Sequence, residues 1–208
     1  MRAQSRLQRS LQAFLLGSCL SIFALTSAYA EDAPNVTADN YVRAESDFQM
    51  KGYIESFDNF GKFHHNRKPY DVDNQITIRG NRDTLYSFGV WDLRSPVTVT
   101  LPDTKGRYQS IMIVSQDHSI WGLYGPKTGT LTEEKVGTRY VFLLIRTFAD
   151  PNDEQDMQEA YRLQDAVVVE QVDIGKFEVP DWNKEEVEQM RATINVVGAT
   201  VTESSKFF

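Results

Sequence analysis

Between positions 85 and 148 the apolar residues recur with a period of two, and on either side of that stretch with a period near 3.6. Tyr41, Ala44 and Phe48 recur at helical spacing behind Thr37 and Asp39, either of which can cap, and predict a helix over about 38–57. A loop is expected over 60–73, then a short strand at 75–79 and a longer one at 85–93. Val97, Val99 and Leu101 alternate with Thr98 and Thr100, the pattern of a half-buried strand. Turn chemistry at Pro102–Gly106 leads into strands at 107–116 and 121–124, and a hairpin turn is expected over Gly125–Gly129. The strand at 139–148 is apolar on both faces, with Val141, Leu143 and Ile145 on one and Tyr140, Phe142 and Leu144 on the other. It therefore belongs in the middle of a sheet.

Asp150–Asp153 closes that strand and opens a helix running to about Leu163. A short strand at 167–171 follows, and then a helix over about 184–197. Asn183 caps this last helix, and Glu186 three residues on completes a capping box. The sum is a mainly β, α+β fold: an antiparallel β-sandwich-like core with an N-terminal helix and two C-terminal helices.

The first thirty residues stand outside this pattern. Arg2, Arg6 and Arg9 precede an apolar run from Leu11 to about Leu25, and Ala28-Tyr29-Ala30 has the small-x-small form of a signal-peptidase site. The expectation is a leader cut after Ala30 and a periplasmic or secreted protein. A lipoprotein cut at Cys19 is the competitor, though it would leave an apolar tail on the mature chain. Domain organisation follows: leader 1–30, a flexible lead-in 31–36, one β-rich domain 37–198 and a tail 199–208.

Loss of the leader changes the charge balance. It leaves 19 basic against 29 acidic residues, a net charge of −10, and removes the single cysteine. Such a chain has no disulfide or thiol nucleophile, and its acidity disfavours nucleic acid and anionic lipid as partners. No later segment is apolar enough to span a bilayer. A small molecule or a component of the cell envelope is the expected partner.

The densest polar group precedes the strand at 85. Asn81, Arg82, Asp83 and Tyr86 can act in two ways. Asp83 is either a general base in a pocket, with Arg82 holding an anion, or the residue whose carboxylate fixes the turn by bonding backbone N–H groups. Gly89 is read as a bulge or a close backbone approach. In Gln116-Asp117-His118-Ser119, Asp117 and His118 point apart on a strand, but His118 could meet Asp83 across strands. Asp83 and His118 are thus the acid–base candidates, and Asn81, Arg82, Tyr86, Arg107, Trp121 and Tyr124 the ligand-contact candidates.

No Gly-x-Ser-x-Gly elbow occurs, and Gly125–Thr130 has the letters of a phosphate loop in the wrong order. His64 and His65 match no zinc spacing and read as a solvated loop pair. No metal and no cofactor are expected. Trp91, Trp121 and Tyr124 either line a ring-binding groove or pack in the core.

Asn81-x-Asp83-Thr84-Leu85-Tyr86-Ser87, followed by Asp92-Leu93, Pro96-Val97, Leu101-Pro102-Asp103 and Gly106-Arg107-Tyr108, resembles domain-of-unknown-function family 1254. The likeness runs from about Phe60 to Asp165 and includes Arg146 to Asp150. It implies an exported protein with a β-sandwich core, and brings no established reaction. Esterase or hydrolase activity is attributed to some members, which makes an ester hydrolase the alternative to a ligand- or partner-binding domain. Gly80 stands where the family often has proline. Many relatives continue into a second β-rich domain, and Ser204–Phe208 reads as the point where a longer relative would go on.

Overall fold

The computed structural model describes residues 34–71, 73 and 80–201. The leader, Cys19, the strand expected at 75–79 and the final Ser204–Phe208 lie outside the described residues.

Helix α1, Tyr41–Phe57, leads into strand β1, His64–His65. Strands β2, Thr84–Asp92, β3, Val97–Leu101, β4, Gln109–Ser115, β5, Ile120–Tyr124, and β6, Lys127–Leu131, follow. A one-turn helix α2, Glu133–Val136, precedes β7, Tyr140–Phe148. Then come α3, Glu154–Asp165, β8, Val168–Glu170, and α4, Lys184–Gly198. The strands form two antiparallel sheets, one in the order β1-β2-β7-β4-β5 and one in the order β6-β3-β8. The fold is mainly β and α+β, as the pattern of periods predicts.

β7 occupies the centre of the larger sheet. Its inner residues Val141, Leu143 and Ile145 join Trp91, Ile111 and Ile113 against Val97, Val99, Leu101 and Leu131 of the smaller sheet. This apolar layer between the sheets is the main core. α3 closes one end of the sandwich, with Met157 and Ala160 against Leu85 and Ala149. α1 covers part of the outer face, where Met50 packs with Val90 and Tyr140.

Several local expectations are corrected. The stretch Gly125–Gly129 is not a hairpin turn. Only Gly125-Pro126 turns, and Lys127–Leu131 runs as a strand of the other sheet, paired along β3. Thr128 and Thr130 exchange hydroxyl hydrogen bonds of 3.0 Å with Thr100 and Thr98. Gly129 is small for packing: a Cβ there would lie 2.7 Å from Leu123 Cδ1. The capping box at α4 is half formed. Asn183 Oδ1 accepts the Glu186 N–H at 3.2 Å, but the Glu186 carboxylate accepts the Val36 N–H at 2.8 Å. It thereby ties the lead-in to α4. The 60–73 loop contains β1, paired with β2 through His64↔Phe88 and His65↔Ser87.

Gly89 marks a close approach, with no bulge. Pairing of β2 with β7 continues unbroken through Gly89↔Leu143, and a Cβ would meet the Lys62 carbonyl at 2.3 Å.

A third group of contacts anchors the chain between β8 and α4. Asp92, 1% exposed, receives Arg139 and Arg94, and Arg139 also bonds Glu178. Tyr140 donates its hydroxyl to the Lys176 carbonyl at 2.7 Å. Asp47 on α1 is buried and accepts from Gln116 and from the Trp182 indole, and burial raises its carboxyl above the usual range despite those bonds.

Candidate functional site

The sequence candidates do not assemble into one site. Asp83 is exposed, and its carboxylate makes no hydrogen bond among the described residues. The turn into β2 is closed instead by Asn81, whose Oδ1 accepts the Asp83 N–H at 3.1 Å. This is an Asx-turn, in which the side-chain oxygen takes the place of a backbone carbonyl two residues ahead. Asp83 contributes its backbone carbonyl, which accepts from Ala149 N–H.

His118 sits at positive φ, 59°, in the exposed turn between β4 and β5. Neighbouring Asp117 pairs with Arg43 of α1 at 2.6 Å. Register sets the distance to Asp83. Leu85 and Gln109 both align with Thr147, whereas Trp91 and Ser115 both align with Val141. Six residues of extended chain, about 20 Å, separate these two levels. Asp83 lies beyond one and His118 beyond the other, so they cannot meet across strands.

Arg107 is a structural clamp between β4 and α3. Its guanidinium takes both Asp156 oxygens, at 2.8 and 2.5 Å, and the Phe148 carbonyl at 2.8 Å. The pair holds Asp156 below the ordinary carboxylate range. Trp121 faces the core between the sheets, while Tyr124 on the same short strand faces outward at 67% exposure. Two strand residues three apart point to opposite faces, so they share no groove. Trp91 is fully buried in the core. Arg82 is exposed and makes no ion pair among the described residues.

The structure brings a different set together at the β1 edge. His64 and His65 are no solvated pair. Alternation sends His64 against the rings of Phe57 and Phe88, and His65 to the opposite face. There His65 Nδ1 lies 2.8 Å from Ser87 Oγ. Gln164 Nε2 donates to the same hydroxyl at 3.0 Å and to the carbonyls of Asn66 and Tyr86. Arg67 donates to Gln164 Oε1 and the Tyr161 carbonyl, and pairs with Asp165. Burial, with the Arg67 guanidinium beside it, holds the His65 imidazole below its ordinary pKa, hence neutral at pH 7.

A serine 2.8 Å from an imidazole has the spacing of a nucleophile and its base. Here Ser87 is 0% exposed, and Gln164, also 0% exposed, occupies a lone pair of its oxygen. The network is a polar strap that fixes residues 64–67 and the end of α3 onto β2. Nothing in the sequence flags it, since its hydrogen bonds join residues 22 to 98 positions apart.

Outside this strap residues 64–71 line a cleft of about 440 Å³, within the range of small-molecule sites. Its wall continues through Tyr70, whose ring lies 6.0 Å from that of Tyr86. Tyr86 in turn carries Arg146 over its face, 5.7 Å from the ring centroid. The Tyr86 hydroxyl accepts the Asn81 N–H at 3.2 Å, which joins the opening turn to the same wall. Among the described residues no group of His, Cys, Asp and Glu is placed to hold a metal, and no helix is long and apolar enough to cross a membrane.

A two-sheet α+β domain with a cleft at one sheet edge is therefore what fold and site define. The model of a family described as "Protein of unknown function (DUF1254)" matches residues 60–130, the stretch holding β1 to β5 and most of β6. Among solved structures, the VPA0106 protein from Vibrio parahaemolyticus aligns at 19% identity with a TM-score of 0.47. That alignment covers 71% of this chain and 43% of the Vibrio protein. A hypothetical protein from Leishmania major aligns at 11% identity and a TM-score of 0.19, over 56% of this chain and 94% of that one. No curated protein matches.

Proposed function

We propose that the chain is an exported member of the DUF1254 family whose β-domain binds a small organic ligand, without bond-breaking chemistry, in the cleft lined by residues 64–71, beside Tyr86. Export follows from the leader read in the sequence. The observation that carries the binding reading is the cleft itself: a concavity of about 440 Å³ with aromatic and cationic walls, backed by a hydrogen-bonded polar strap. Preformed concavities of this size, backed by rigid supports, are how proteins hold small molecules.

An ester hydrolase is the competing reading, and the geometry supplies one pair to test it, Ser87 and His65. The binding reading expects no turnover of aryl esters above background by the wild type. It also expects Ser87→Ala, Asp83→Asn and His118→Ala to be indistinguishable from it in that assay. Turnover abolished by Ser87→Ala at an unchanged melting temperature would replace the proposal with a hydrolase. Intact mass of the protein recovered from the envelope of its host tests export separately, with a first residue of Glu31 expected and an uncut or Cys19-lipidated chain contradicting it.

A further inference from the structure

The outer face of the larger sheet is built in rows by the strand register. Tyr86, Arg146, Ser110 and Tyr124 lie side by side in one row, and Phe88, Leu144, Met112 and Gly122 in the next. α1 crosses this face obliquely. Its contacts run from Arg43 and Asp47, at the β4–β5 turn, to Tyr53 against Phe142 and Phe57 against His64. The corner that holds Arg146 lies on the other side of that diagonal. Leu144, Met112 and Arg146 are half-buried there, and Tyr124 is exposed.

Arg146 is the anomaly of this corner. Almost every other guanidinium that is at least partly buried has a carboxylate: Arg67 has Asp165, Arg107 has Asp156, and Arg139 has Asp92 and Glu178. Arg146 has no acid within ion-pair distance and no hydrogen bond among the described residues. Its Nε is buried with no partner. Among the described residues, its polar group's partner is the Tyr86 ring. A desolvated guanidinium N–H left unbonded lowers stability, and an acidic chain does not lack carboxylates to place beside it. Arginine in such a setting offers a fork of donors matched to a planar anion. Ser110, which exchanges a 2.8 Å hydroxyl hydrogen bond with Tyr108, supplies a further polar group in the same row.

We infer that Arg146 is the anion-accepting residue of the ligand site, and that the ligand is an organic anion with an apolar body, its carboxylate on Arg146 and its hydrocarbon on Leu144 and Met112. This rests on the binding function proposed above and deepens it. Tyr86 joins the corner to the cleft, touching Arg146 on one side and Tyr70 on the other.

Octanoate and octan-1-ol, matched in chain and different in charge, are the probes. Calorimetric titration of the purified protein is expected to show octanoate binding about tenfold or more tightly than octan-1-ol, the scale of one charged hydrogen-bonded contact. Arg146→Met should abolish that preference, with octan-1-ol binding unchanged and a melting temperature equal to or above that of the wild type, because an unbonded polar atom is removed. Arg146→Lys, which keeps the charge and loses the fork, should fall between. An octanoate preference that survives in Arg146→Met, or equal binding of the two probes by the wild type, overturns the assignment of Arg146 while leaving a binding cleft in place. A melting temperature several degrees lower in both Arg146 variants makes the residue structural and likewise overturns it. Failure of both probes to bind the wild type contradicts this inference and the binding function together.

Discussion

Replacing Asp92 with alanine is expected to destabilise the protein by about 3 kcal/mol, read as a fall of about 6–12 °C in melting temperature. Asp92 is 1% exposed at the end of β2, and its carboxylate takes Arg139 Nη2 and Arg94 Nε at 2.9 Å each. Removing the acid takes the buried partner from Arg139, whose side chain is only 26% exposed, while Arg94, 51% exposed, can return to water. Glu178 remains for Arg139 at 3.0 Å, which places the loss toward the lower end for a broken buried pair. The chain past β8 should loosen with it, since Gly175 packs so closely on Asp92 that a Cβ would lie 2.6 Å from Oδ2.

The same variant carries a pH dependence of fixed sign. Burial pushes the Asp92 carboxyl up, but the bonds from Arg139 and Arg94 more than offset this and hold it below the ordinary range. Its stabilising contribution is therefore complete above the unfolded value, about 3.9, and is lost as pH falls through the folded value. The gap in melting temperature between wild type and Asp92→Ala should be constant from pH 7 to about 5 and narrow below about 4. A gap that widens in acid, or a variant melting within 2 °C of wild type at pH 7, contradicts the role given to this carboxylate.

Gly89→Ala is the second large effect. The space for one methyl group is missing: the nearest atoms are the Lys62 carbonyl oxygen at 2.3 Å and Trp91 ring carbons at 2.7 and 2.9 Å. Neither can yield cheaply. Lys62 lies two residues before β1, and Trp91 is fully buried between the sheets. The expected loss is about 3 kcal/mol, at the upper end of overpacking effects. It should be local as well as global, with the Asn66 amide, which donates to the Tyr86 carbonyl at 2.8 Å, exchanging with solvent earlier than amides of β7. Gly89→Ala that melts with wild type and leaves Asn66 protected would show that the β1 edge is not held where the structure puts it.

How much of this was legible in the sequence depended on whether the signal was local. β7 could be placed at the sheet centre because both its faces are apolar, and β3 could be placed because valine and threonine alternate. The Asn183 cap needs only its own neighbours and is legible from them, whereas the partner of Glu186, Val36 N–H, lies 150 positions away. β6 was missed because Gly-Pro-Lys-Thr-Gly has the composition of a turn, and the pressure for a small residue at Gly129 comes from Leu123 on another sheet. β1 was missed because a two-residue strand has no period to read.

The site fared worse for the same reason. Asp83 and His118 drew attention as reactive residue types, yet the register puts about 20 Å of strand between their levels. The pairing of His65 with Ser87 and the isolation of Arg146 are properties of cross-strand geometry. Arg146 stands in the family-like stretch ending at Asp150, but only the surrounding rows reveal that, among the described residues, no acid pairs with it.

The most direct test of the account is an amide-resolved NMR titration of the wild-type protein with octanoate. The account predicts saturable shifts concentrated at Tyr70, Tyr86, Ser110, Met112, Leu144 and Arg146, with the turn at Asp117–Ser119 unmoved. Shifts clustered at that turn or scattered over the surface, or no shifts at all, would contradict it.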